Sequence, residues 1–107
     1  MDYDDLIHSL NKELSVELPE KISYSEIQAQ LAAYINHLIK TDFDKLIAYL
    51  YRIDVNEQKL KLLLLQFPEE DAGNIIASLI IERQQQKIKT REQFSKRDND
   101  PDEEEKW

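Results

Sequence analysis

Apolar residues recur along this chain at helical spacing in five successive runs. Tyr3, Leu6, Ile7, Leu10 and Leu14 stand three and four positions apart, which aligns them on one face of a helix over about residues 2–14. Asp2, Asp4 and Asp5 crowd its first turn, where the helix dipole favours negative charge. Pro19 then interrupts, so SVELPEKI reads as an extended link. Ser23 and Glu26 have the spacing of a capping box, in which each side chain answers the other residue's free N–H, and they open a second helix running to about Lys40. Its stripe is Ile27, Leu31, Tyr34, Ile35 and Leu38, flanked by Ala29, Ala32 and Ala33, which permit close helix approach.

A third helix, capped by Thr41 or Asp42, presents Phe43, Leu46, Ile47 and Leu50. The tract YLYRIDVNE at 49–57 follows and reads as a corner between helices. Asp54 and Glu57 repeat the capping-box spacing, which predicts Asp54 as N-cap of a fourth helix starting at Val55. Arg52 is left to reach a helix C-terminus or a carboxylate. Val55, Leu60, Leu63, Leu64 and Phe67 make one face of the fourth helix, and Leu62 and Leu65 a second. A helix apolar on two faces is central or meets a partner; the expectation here is that it is central.

Pro68 suits a first helical turn, and with Glu69, Glu70 and Asp71 it predicts the start of a fifth helix. That helix carries Ala72, Ile75, Ile76, Leu79, Ile80 and Ile81. After Ile81 the apolar pattern fails. ERQQQKIKTREQFSKR keeps good helix formers, with only Ile88 and Phe94 large and apolar, so the helix is expected to run out past the core. DNDPDEEEKW is too polar to bury and reads as a disordered acidic tail. The expected fold is all-α, a compact bundle of about five helices with a long C-terminal helix. Residues 1–97 form one domain and 98–107 the tail.

Composition narrows the chemistry. The 107 residues include one glycine and three prolines, too few turn formers for a β-hairpin protein. There is no cysteine, which removes disulfides, thiolate metal sites and cysteine nucleophiles. The start, MDYDDLIHSL, is acidic where a secretory leader is basic. The longest uninterrupted apolar run, LLLL at 62–65, falls far short of the ~20 residues of a membrane span. A cytoplasmic protein with no membrane partner is expected.

The net charge is −8, unevenly spread. Residues 82–97 carry six cations and two acids, and residues 98–107 carry one cation and six acids. The overall balance argues against a dedicated nucleic-acid binder, since such affinity comes from neutralising phosphates. The third and fourth helices have the order of a helix-turn-helix, but VNEQKLKLLLLQF is too apolar for a major groove.

His8 and His37 are the only histidines. A zinc site needs three or four ligands with close pairs. His37 has Thr41 at i+4, and His8 has Asp4 and Asp5 behind it, which favours a surface ion pair. Asp42, Asp44, Asp54, Glu57, Glu69, Glu70 and Asp71 sit at helix starts, where capping accounts for them better than acid–base catalysis. DFDK at 42–45 and the acidic tail lack the glycine and later glutamate of a calcium loop. No Gly-rich phosphate loop or nucleophile elbow occurs. No catalytic residue, metal or cofactor is expected, and the chain is not expected to be an enzyme.

YLYRIDVNEQKLKLLL together with EEDAGNIIASLIIERQQQKIKTREQF resembles a family of small uncharacterised bacterial all-helical proteins, over about residues 43–96. Members share a tract like LYRIDV, then acids before an Ile-rich helix, then an ERQ–QK–K–R run. The resemblance implies a compact all-α domain and no assigned activity, so it transfers no site residues.

The basic run is the most suggestive surface. Arg83, Lys87, Lys89, Arg91, Lys96 and Arg97 project from a helix end with little apolar stripe. The functional expectation is a non-enzymatic interaction or regulatory module that binds a protein partner or a second copy of itself as a homodimer. The alternative is a nucleic-acid-binding accessory protein using residues 83–97. In either case the acidic tail can fold back and compete for the same cations, in a salt-sensitive way.

Overall fold

The computed structural model describes residues 3–99, with side chains through Gln93. Among these residues the chain forms five helices: α1 (Asp4–Leu14), α2 (Tyr24–Thr41), α3 (Phe43–Ile53), α4 (Glu57–Gln66) and α5 (Ala72–Asn99). No strand occurs among the described residues. The acidic tail lies outside them.

The starts and stops follow local chemistry. Asn11 holds the link after α1 by accepting from the Leu18 N–H at 2.8 Å and donating to its carbonyl at 3.2 Å. Leu18 is buried and anchors the link to the core. The Ser23–Glu26 capping box is present in full. Asp42 caps α3 by accepting from the Lys45 N–H. The corner departs from the sequence expectation. Asp54 ends α3 in the left-handed conformation, φ 67°, with its N–H returning to the Leu50 carbonyl at 3.0 Å. The N-cap of α4 is Asn56, which accepts from the Lys59 N–H at 3.0 Å, so α4 begins at Glu57 rather than Val55. Pro68 falls in the turn before α5. Asp71 caps that helix by accepting from the Asn74 N–H at 3.0 Å.

The centre of the bundle is α5, not α4. Ile75, Ile76, Ala77, Leu79, Ile80 and Ile81 are all buried, so two turns of α5 are covered on almost every side. Every other helix packs on it. Its chief partner is α2, through Ile27, Leu31, Ala32, Ile35 and Leu38. Leu6, Ile7, Leu10 and Leu14 of α1 and Leu46, Tyr49 and Ile53 of α3 close the remaining sides. Each large side chain so buried contributes roughly 1.5–3 kcal/mol of transfer free energy. The α2–α5 pair runs antiparallel, with Gln28 beside Asn74 and Ser78 and Asn36 beside Asp71 and Gly73. It packs closely because Gly73, Ala77 and Ala32 are small. Past Ile81 large apolar residues become sparse, and α5 extends the molecule to 52 × 31 × 23 Å.

Helix α4 buries none of its residues. Its four consecutive leucines point to all sides of a ten-residue helix, and it has no small residue to draw a neighbour close. It rests on the side of α5 and leaves the rest of its leucine surface open.

Candidate functional site

Two surfaces stand out. The first is a groove of about 730 Å³ between α3, α4 and α5, built by the YLYRIDVNE corner. Ile47, Leu50 and Tyr51 from α3 and Leu60 and Leu64 from α4 form its apolar walls. Tyr51 is 76% exposed, and Phe43 lies 54% exposed on the same helix. On the side of α4 turned away from Leu60 and Leu64, Leu62 and Leu65 are 53% and 79% exposed. The charged groups around the groove are engaged with one another. Arg83 donates from Nε to the Asp54 carbonyl at 3.1 Å and from Nη2 to the Asp54 carboxylate at 3.3 Å. Lys61 pairs with Glu57 at 3.4 Å and Lys59 with Glu82 at 2.9 Å. These are exposed pairs of small individual worth. They do leave the groove flanked by closed ion pairs and open apolar surface.

The second is a cleft of about 800 Å³ between α1 and α5. Asp5, His8, Ser9 and Lys12 face it from α1, and Gln84, Lys87, Ile88 and Arg91 from α5. Both sets have i, i+3, i+4, i+7 spacing, one face of each helix. Glu13 and Glu92 complete the lining, with Glu13 engaged by Arg52 at 3.1 Å. Gln84 is only 2% exposed, and its Nε2 has no hydrogen-bond partner.

The basic run predicted as a partner surface is divided between these places. Arg83 is tied to the corner and lines the α3–α4 groove. Lys87 and Arg91 line the α1–α5 cleft, Lys87 half-buried and Arg91 exposed. Lys89 is exposed and lines neither. Lys96 and Arg97 belong to the helical backbone of α5, and their side chains lie outside the described ones. His8 stands at the cleft and His37 on the surface of α2, and no metal-holding group of acids and histidines forms among the described residues. Arg52 does reach a carboxylate, that of Glu13.

One titrating group is displaced. Burial, reinforced by the adjacent Tyr49 side chain and the negative charge of Asp42, pushes the Tyr34 hydroxyl up from 10.0 to about 12. That hydroxyl donates to the Leu14 carbonyl at 3.3 Å and belongs to the scaffold joining α1 to α2.

Sequence reasoning missed Gln84, and of its two readings of α4 it took the central one where the structure leaves the helix open. For Gln84 a signal was present. Ile80, Gln84 and Ile88 stand four apart, so the glutamine occupies the place of a core residue in a stripe that continues past Ile81. No family model, curated protein or solved structure matches this chain.

Proposed function

We propose that this protein is a non-enzymatic helical interaction module whose working surface is the outer face of α3 and α4, and that the surface takes a second copy of the chain. One observation carries the reading: α4 buries none of its residues, although five of its ten are leucine. The exposed aromatic rings of Phe43, Tyr51 and Phe67 offer roughly 150–250 Å² each when whole, so with three leucines the exposed apolar surface reaches on the order of 600 Å². That is at the upper end of what an ordinary monomer leaves bare and close to one side of a standard interface.

A second copy fits because α4 offers apolar surface on both its sides. The groove at Tyr51 and Leu64 is concave, and Leu62 and Leu65 are exposed on the side of α4 turned away from it. In a twofold interface each patch meets itself, so unpaired charges would be repeated across it. Here Arg83, Lys61 and Lys59 are already neutralised within one chain. The reading places the protein in the cytoplasm, where a chain without cysteine needs no oxidising environment. A nucleic-acid role through residues 83–97 draws less support, because Arg83 is engaged by Asp54 and Lys87 is half-buried.

Sedimentation velocity tests the proposal. The expected result is a species of two chains that strengthens as salt rises, since two copies of charge −8 repel. Leu62→Glu and Leu65→Glu should return it to one chain with unchanged helical circular dichroism. A wild-type chain that stays single at roughly 100 μM in both low and high salt would refute it, because that requires a dimer Kd far above micromolar.

A further inference from the structure

Among the five helices α4 alone has no buried residue. Only Leu60 and Leu63 are even half-buried, and the rest of its ten residues are exposed. The groove of about 730 Å³ keeps it off α3, and its packing is on α5. Its polar tie to α5 is the Lys59–Glu82 pair at 2.9 Å, between two exposed groups, a kind of contact that adds little. Ten residues are also too few for a helix to persist off its support, since isolated helices below about 12–15 residues are marginal in water. Few buried contacts and low intrinsic stability mark a segment that opens before the rest of a fold.

The two ends of the segment are fixed. On one side the N–H groups of Asp54 and Val55 both return to the Leu50 carbonyl, at 3.0 and 3.1 Å, which closes α3. On the other, Asp71 accepts from Asn36 of α2 at 2.8 Å and from the Asn74 N–H at 3.0 Å, which holds the start of α5. Residues 56–70 lie between these points. What they rest on is apolar. Ile75 and Leu79 are buried but stand outside the main core cluster. By spacing they share one stripe of α5 with Glu82 and Gln86, the positions that meet Lys59 and line the groove.

We infer that α4 is a lid: residues 56–70 leave α5 as one unit and bare Ile75 and Leu79, while α1, α2, α3 and the core of α5 stay packed. The opening is independent of the dimer reading, but its consequence rests on that reading. Leu62, Leu64 and Leu65 belong to the lid, so the face that takes a second copy exists only while the lid is shut. Dimerisation therefore holds the lid closed by mass action.

Hydrogen exchange of the full chain in dilute solution, read segment by segment by mass spectrometry, tests the lid. Amides of 57–66 should exchange roughly 100-fold faster than those of 31–38 and 76–81. Leu63→Ala should speed the α4 amides by roughly a further 10-fold, through its lost apolar burial, and leave the other two segments unchanged. The absence of cysteine supplies a second readout. A thiol reagent should modify Leu79→Cys roughly 100-fold faster than Ile76→Cys, which sits in the core cluster, in variants that keep the parent's circular dichroism. The proposal falls if α4 exchanges as slowly as α5, if Leu63→Ala speeds all three segments alike, or if the two cysteines react at one rate. Concentrating the wild-type chain separates the two readings. Slower exchange confined to 57–66 is expected from a second copy on α4, whereas unchanged exchange removes the dimer and leaves the lid standing on the dilute result.

Discussion

Changing Gly73 to alanine should unfold this protein more easily, against the usual gain of alanine in a helix. Gly73 does not have a positive φ, so its backbone would accept any residue. Space is the constraint. A Cβ there would lie 2.5 Å from Cγ and Oδ1 of Asn36 and 2.7 Å from the Ala32 carbonyl oxygen. The Asn36 side chain can turn away, but doing so breaks its acceptance of the Gly73 N–H at 3.1 Å and its donation to Asp71 at 2.8 Å. The Ala32 carbonyl is backbone in the middle of α2, so the two helices must separate. Overpacking of this kind costs about 1–3 kcal/mol, and the two lost hydrogen bonds, one exposed and one part-buried, at the low end of about 0.5 kcal/mol each, together about 1 kcal/mol more. Alanine returns at most ~1 kcal/mol of helix propensity, less in a first turn. The net expectation is a loss of about 2 kcal/mol. Urea denaturation should read it directly, and thermal melts should fall by about 8 °C for a domain of this size. Gly73 and Asn36 share one contact, so Gly73→Ala combined with Asn36→Ala should cost less than the two changes separately. A Gly73→Ala protein as stable as the parent, or strictly additive costs in the double variant, would show that the α2–α5 approach is not limiting.

The remaining predictions test the scaffold. Leu31→Ala, at the buried α2–α5 contact, should cost about 2–5 kcal/mol, whereas Leu65→Ala on the open face of α4 should stay within ~0.5 kcal/mol for the monomer; equal losses in urea melts would return α4 to the core. Tyr34, raised from 10.0 to about 12, should ionise only as pH nears 12 when absorbance is followed against Tyr34→Phe. A raised folded-state value means that its contribution is complete below pH 10 and is lost as pH climbs towards 12, so Tyr34→Phe should flatten stability over that window.

Much of the architecture is legible in the chain because it is written in short-range terms. Five runs at helical spacing give five helices in the expected order, and the Ser23–Glu26 box forms where its spacing places it. What escaped depends on which helix meets which. The fourth and fifth helices are both apolar on more than one face, and periodicity cannot rank them. The ranking comes from Gly73 and Ala77, which let α5 press against α2, and from the shortness of α4. Phe43 is the first residue of its helix and lies half outside, while Tyr49 takes the inward place between Leu46 and Ile53. At the corner, Asp54 and Asn56 both suit an N-cap. The left-handed turn spends Asp54 on ending α3, and the cap passes to Asn56. Gln84 was hidden for a related reason: a polar residue in a polar stretch does not announce that it is buried.

That the central helix is the last of the five described has a consequence for synthesis. A ribosome delivers α1, α2 and α3 first, and their apolar stripes lack their main partner until Ile75–Ile81 follows. At ~5–20 residues per second, the fifty residues between Leu31 and Ile81 take roughly 3–10 seconds to make. During that interval Leu31, Ile35 and Leu46 have only the other apolar residues of α1, α2 and α3 to pack on. The nascent chain is therefore a client for any holding factor at the tunnel exit, and a message cut short before Ile81 yields helices without a core to join them.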